Sequence, residues 1–299
     1  MTVLRPLHAG EAAVSLEAAW GLAQSPVTSL YPSFADGIKM REEFFRAADP
    51  GKDAPGETLV QLSDGEFCGL IRYEALPEDR GINFSAFVSR QPERATEEFL
   101  AWAGRRYPGW QVDFGLHEEN AAACAVLEKA GWVRTEECRV CALALKEGAG
   151  LELAAEGVEP VTARTFPEFT ALHDQTEGMY WNSARLQTAY FQENSPWRLT
   201  LYRRRGKAVA GLCWRTFGDL AEIFSLDPQG GSDGEAMAAL LAQGLAEARR
   251  RGARGMYFFC DTDSQARAAQ QAGMGLLGRY WLYQGTLPRR DAKLFEQTP

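Results

Sequence analysis

The sequence predicts an α/β (α+β) fold built as two tandem domains, residues 1–150 and 151–299, each a mixed, partly parallel β-sheet flanked by helices. Three observations predict it. The strand-like stretches Gly65 to Tyr73 and Gly206 to Arg215 match, and their glycines Gly69 and Gly211 stand 142 residues apart. The helix-like stretches Ala123 to Trp132 and Ala266 to Met274 also match, and Gly131 and Gly273 stand 142 residues apart again. Between these landmarks both halves run strand, helix, strand, helix, strand, and such alternation implies parallel neighbours joined by helical crossovers.

Each element follows from local pattern. Thr58 to Leu62 and Leu199 to Tyr202 are apolar strand-like runs that precede the first matched pair, so each half opens its sheet with a hairpin turned at a polar Gly segment. A strand over Ile82 to Val88 leads to a helix over about 93–106, and Ala221 to Leu226 leads to one over about 234–251. Buried strands follow at Gln111 to Phe114 and Gly255 to Phe259. Next come the short helices, each stopped by the glycine that suits a left-handed helix end. Final strands are expected at Arg139 to Leu145 and Arg279 to Gly285. The small-residue stretch 146–150 is the expected domain boundary.

Composition excludes several classes. An apolar fraction of 45% with dispersed Gly and Pro belongs to a folded globular chain. No apolar run approaches the roughly 20 residues of a membrane span. Residues 1–6 lack the basic start and apolar core of a signal peptide, and six scattered cysteines do not form a disulfide framework, so a reduced, cytoplasmic protein is expected. The net charge of −8 argues against a nucleic-acid or anionic-membrane binder. All of it lies in the first half, which holds 15 Lys+Arg against 23 Asp+Glu. The second half holds 17 of each and offers an anion less repulsion.

Two local motifs bear on function. In the second half, the strand ending at Leu226 is followed by Gly231-Ser232-Asp233-Gly234-Glu235-Ala236 at the start of a helix. In the first half, Asn120, Ala123 and Gly131-Trp132 form an Asn-x-x-Ala…Gly-aromatic pattern. With the order of elements, these motifs resemble the GNAT superfamily of acyl-CoA-dependent N-acetyltransferases, present twice. That family carries Arg/Gln-x-x-Gly-x-Gly/Ala where a helix N-terminus faces the pyrophosphate of coenzyme A. Gly234 and Ala236 fit the pattern, Gly231 replaces its Arg or Gln, and Asp233 and Glu235 add negative charge. The first half has no glycine from Ile82 to Ala103, which marks it as a degenerate copy.

The resemblance implies acetyl-CoA as co-substrate, held by Leu226, Gly231, Ser232, Gly234, Glu235, Ala236 and Asp263. Asp263, or Thr262 if the spacing is held, replaces the family's asparagine. It implies Glu222 as the base on the strand leading into the loop. The family's acid position in the short helix holds Gln270 or Ala269, and Leu127 in the first copy, so Tyr280 and Tyr283 on the last strand are the acid candidates, with Tyr257 beside them. Aromatics Tyr180, Trp181, Tyr190, Phe191 and Trp197, with His173, Asp174 and Glu177 nearby, mark either an amine-acceptor site or helix packing. Cys138 and Cys141 form a lone CxxC whose sulfurs would face opposite sides of a strand, so no metal is expected. Arg249 to Arg251 reads as a solvated helix end. The expected function is acyl transfer from acetyl-CoA to a small-molecule amine by the C-terminal domain of a monomer or homodimer. The alternative is a non-catalytic tandem GNAT-like protein that binds a ligand or a partner.

Overall fold

A computed structural model describes residues 2–31, 38–49, 55–145, 156–175, 181–231 and 233–288. The first repeat gives β1 (Thr2–Pro6), α1 (Ala12–Ala23), α2 (Arg41–Ala48), β2 (Glu57–Ser63), β3 (Glu66–Leu76), β4 (Gly81–Ser89), α3 (Pro92–Arg106), β5 (Gln111–His117), α4 (Ala121–Lys129) and β6 (Val133–Ala144). The second gives β7 (Val158–Pro160), α5 (Phe166–His173), α6 (Ser183–Tyr190), β8 (Trp197–Arg204), β9 (Lys207–Phe217), β10 (Leu220–Pro228), α7 (Gly234–Arg250), β11 (Gly255–Cys260), α8 (Asp263–Gln271) and β12 (Gly275–Thr286). The expected mixed, partly parallel sheets with flanking helices are present. Gly131 and Gly273 have φ of +79° and +90°, the left-handed conformation that closes α4 and α8.

Two compact units form, and they differ from the two sequence repeats in one strand each. The first contains Met1–Glu137 and Arg279–Pro299, and the second contains Cys138–Gly278. Tyr280–Thr286 of β12 pair antiparallel with β5, so the last strand of the second repeat completes the first unit. Arg139–Ala144 of β6 pair antiparallel with β11, so the last strand of the first repeat completes the second unit. The expected boundary at 146–150 lies outside the described residues. The exchange has a packing correlate in the first unit. A Cβ on Gly285 would come 2.2 Å from the Trp132 ring, so the bare backbone of β12 is what lets this buried indole lie against it.

In the first unit the sheet runs β1-β2-β3-β4-β5-β12, and β4 and β5 are parallel. Its core is aromatic, with Tyr73, Phe87, Phe99, Phe114 and Trp132 around α3 and α4, and a second cluster lies under α1 and α2. In the second unit the order is β7-β8-β9-β10-β11-β6, with β10 and β11 parallel. Ile223, Leu226, Leu240, Leu241, Leu245 and Phe258 pack one face against α7 and α8, and Phe169, Leu186, Trp197 and Leu201 pack the other against α5 and α6. Among the described residues no helix is long and apolar enough to cross a membrane.

Candidate active site

Each unit has a strand with one extra residue beside a parallel partner that soon leaves it. On β10, Ile223 faces Trp214 of β9 and Ser225 faces Cys213, so Phe224 is the added residue. On β4, Ala86 faces Arg72 and Phe84 faces Tyr73, so Ser85 is the added one. A bulge lets two successive side chains take one face. Phe224 packs into the α5–α6 cluster, and Ser225 hydrogen-bonds to His173 of α5. The parallel pairs end just before these bulges: β10 and β11 pair from Leu220/Gly255 to Ile223/Phe258, and β4 and β5 pair at Gly81/Gln111 and Ile82/Val112. Beyond these points each unit has a split between its parallel strands.

The two splits hold different groups. In the first unit the segment Thr28 to Tyr31 runs between the separated strands. Leu30 N donates to Phe87 O on β4 at 2.9 Å, and Tyr31 N donates to Gly115 O on β5 at 2.9 Å. Ser89 N donates to Thr28 O at 2.8 Å, and Asn120 Nδ2 donates to Ser29 O at 3.1 Å. The segment is bonded to both edges, and Ser29 and Leu30 are each 3% exposed. Asn120 also caps α4, its Oδ1 accepting from Ala123 N.

In the second unit the corresponding carbonyl, Leu226 O, accepts from Gln265 Nε2 at 3.0 Å, and Gln265 Oε1 accepts from Asp261 N and Thr262 N. This side chain crosses the split at one point. N–H and C=O of one strand residue lie on the same edge, so the Leu226 N–H also points into the split. Gln265 is absent from the residues the sequence marks as functional, although Thr262-Asp263-Ser264-Gln265 spells a capping box. Thr262 takes the capping position of Asn120. Asp263 instead starts α8 and pairs with Arg139 at 2.9 Å.

The glycine loop ends β10 in a tight turn, with Gly230 and Gly231 at φ +71° and +85°. Asp233 caps α7, its Oδ1 accepting from Ala236 N at 3.1 Å. Arg204, at the end of β8, donates to both Asp233 oxygens at 2.6 and 3.1 Å and to Glu235 at 2.8 Å. That clamp lowers the Asp233 pKa and raises that of Arg204. The two acidic residues that weaken the motif therefore carry their own counter-cation from outside the loop. Among the described residues a Cβ added at Gly230, Gly231 or Gly234 meets nothing within 4 Å, so this surface is open there. Ser232 lies outside the described residues.

Glu222 stands directly opposite Arg215 on β9 and beside Tyr257 on β11. Tyr280 and Tyr283, the acid candidates, belong to the other unit. Tyr280 pairs with His117, and its ring meets Tyr31 edge-on at 5.1 Å. Tyr283 is 1% exposed and donates to Glu128 at 2.7 Å, and burial followed by that bond raises its pKa. Only Tyr257 of the three shares a unit with Glu222. Ala269 and Leu127 are buried in the two cores.

The aromatic segment is largely packing. Trp197 is 2% exposed between Trp181 at 4.5 Å and Phe224 at 4.8 Å, and Tyr190 donates to Val161 O. Tyr180 and Glu177 lie outside the described residues. All six cysteines are buried, and among the described residues no group of ligands fits a metal ion. Arg251 pairs with Glu247 one helical turn back.

No protein-family model and no curated protein matches this chain. Solved structures do. A GCN5-related N-acetyltransferase from Sphaerobacter thermophilus is similar at TM-score 0.61 and 18% identity, over 97% of this chain and 98% of that one. A tandem GNAT protein from the clavulanic acid biosynthesis pathway is similar at TM-score 0.53 and 14% identity, over 97% of this chain and 100% of that one. The glucosamine N-acetyltransferase region of a fungal multi-domain GH3 beta-N-acetylglucosaminidase is similar at TM-score 0.56 and 11% identity, over 95% of this chain and 38% of that one. These likenesses establish the fold, which is the tandem GNAT fold.

Proposed function

We propose that the chain is an acetyl-CoA-dependent N-acetyltransferase that acetylates a small-molecule amine at one site, in the Cys138–Gly278 unit. The observation that carries this reading is the pair of splits: one is lined by the chain's own peptide, and the other offers the Leu226 N–H beside an open glycine turn at a helix start. The groups present fit the co-substrate. Gly231, Gly234, Glu235 and Ala236 would present backbone to the pyrophosphate, favoured by the helix N-terminus. Leu226 N–H would polarise the thioester carbonyl. Glu222 would take the proton the amine loses.

Isothermal titration with acetyl-CoA tests the reading. The expected result is binding at one equivalent per chain, and no heat at high micromolar ligand would sink it. Turnover is measured as coenzyme A release with spermidine, glycine, tyramine and glucosamine as acceptors, and Glu222→Gln should lower kcat by about 100-fold or more with the productive amine. A second reading, a ligand-binding module without catalysis, draws support from Gln265 on Leu226 O and the two carboxylates at the loop. Binding without turnover on any amine would favour it.

A further inference from the structure

The second unit contains a buried polar cluster that neither Glu222 nor the glycine loop uses. His173, at the end of α5, is 1% exposed, and Ser225 is 6% exposed. The imidazole stacks on Phe169 at 5.3 Å and 23°. Its Nε2 lies 2.7 Å from the Trp181 carbonyl, which only accepts, so Nε2 carries a hydrogen. Its Nδ1 lies 2.9 Å from Asp227 Oδ2 and 2.9 Å from Ser225 Oγ. A ring with acceptors at both nitrogens favours the doubly protonated form, whose Nδ1–H is shared between the carboxylate and the hydroxyl. Ser225 Oγ then accepts from the ring, so its own hydrogen is directed elsewhere.

Position gives that hydrogen a use. Glu222 and Tyr257 lie where β10 and β11 are still paired, whereas Ser225 follows the bulged residue just past the last pair. It adjoins Leu226, whose backbone edge opens into the split. We propose that Ser225 is the proton donor to the leaving thiolate of acetyl-CoA, with His173 and Asp227 as positioning residues that orient its hydroxyl and resupply its proton. The proposal rests on the acetyl-transfer reading above. The amine nitrogen bonds to the carbonyl carbon, and the carbon–sulfur bond breaks with its electron pair going to sulfur. Sulfur takes the Ser225 hydroxyl proton, and Ser225 Oγ takes the Nδ1 proton of His173. The amine's surplus proton passes to Glu222 and on to solvent, from which His173 is recharged, so one proton leaves nitrogen and one arrives on sulfur.

The test compares kcat, measured with the amine that wild type turns over fastest, with acetyl-CoA affinity measured by titration. Ser225→Ala should lower kcat by about 100-fold while leaving the acetyl-CoA Kd within twofold, and Ser225→Thr should recover most of the loss. His173→Gln should lower kcat in the wild-type background but add nothing to Ser225→Ala, because it acts only through that hydroxyl. A purely structural role would make the losses add and would gain nothing from threonine. Turnover within threefold of wild type in Ser225→Ala, or the large loss appearing in Tyr257→Phe instead, overturns this assignment alone. Wild type that binds no acetyl-CoA, or binds it and acetylates none of the four amines, overturns the acetyl-transfer reading and this assignment with it.

Discussion

In the first unit the space between β4 and β5 is lined by peptide bonded to both strands, whereas in the second, among the described residues, the space between β10 and β11 is crossed by the Gln265 carboxamide. Both units build this space the same way, from a one-residue bulge beside a short parallel pairing. The difference lies in what meets the strand edges. Thr28 to Tyr31 satisfy the carbonyls of Phe87 and Gly115 and the N–H of Ser89. Gln265 meets Leu226 O on the β10 side and Asp261 N and Thr262 N past the end of β11, and Pro228 brings no N–H to the far end of β10. A buried backbone group left without a partner costs about 1–3 kcal/mol, so among the described residues a stretch of backbone holds the first split closed, whereas one side chain bridges the second.

The largest expected effect comes from breaking the first split. Leu30→Pro removes the donor to Phe87 O and a buried leucine, and should destabilise the chain by about 3–5 kcal/mol in urea unfolding. Acetyl-CoA stoichiometry should stay at one, and a second equivalent would show that this split accepts ligand once emptied. Next is Gly234→Glu in the second unit. Its side chain enters open space at a helix start, so the melting temperature should hold while acetyl-CoA affinity falls about 100-fold, near 2.7 kcal/mol. Unchanged affinity would move the pyrophosphate away from this loop. Gln265→Ala removes the carboxamide that crosses the second split, at about 1–2 kcal/mol of stability. It should tighten acetyl-CoA by severalfold in titration, and weaker binding would make Gln265 a ligand contact.

The smallest effect is a pH dependence. Burial alone pulls the His173 pKa down, but the Asp227 bond, the Trp181 carbonyl and the nearby Asp227 and Asp174 charges leave it above its ordinary value. A raised folded pKa gives stability fully present below about pH 6.5 and lost as pH rises through the folded value. The unfolding free energy of wild type over His173→Asn should therefore shrink on going from about pH 6 to 9, by on the order of 1 kcal/mol. An advantage that grows with pH would mean the ring is buried neutral.

Much of the fold was legible and less of the site. The hairpins, the parallel crossovers and both glycine helix stops follow from residues close in sequence. Gly234 and Ala236 were legible because a helix start with glycines is a local pattern. Tyr280 and Tyr283 were expected beside Glu222 because the final strand was assigned to its own repeat, and the exchange of strands puts them in the other unit. The sequence leaves Asp263 and Thr262 as alternatives for the asparagine position, and the structure puts Thr262 at the cap, the residue that holds the spacing. His173, Ser225 and Asp227 could not be linked, since the bulge that puts Ser225 on the histidine's face leaves no mark in the sequence.

By itself the sequence determined the duplication, the order of elements and where helices stop, because periodicity, turn residues and left-handed glycines act within a few bonds of where they stand. Tertiary structure alone decided which sheet edge each final strand joined and what filled each split. The backbone hydrogen bonds that make those choices are the same for almost any residue, so only packing, as of Trp132 against Gly285, selects among partners the sequence leaves equivalent.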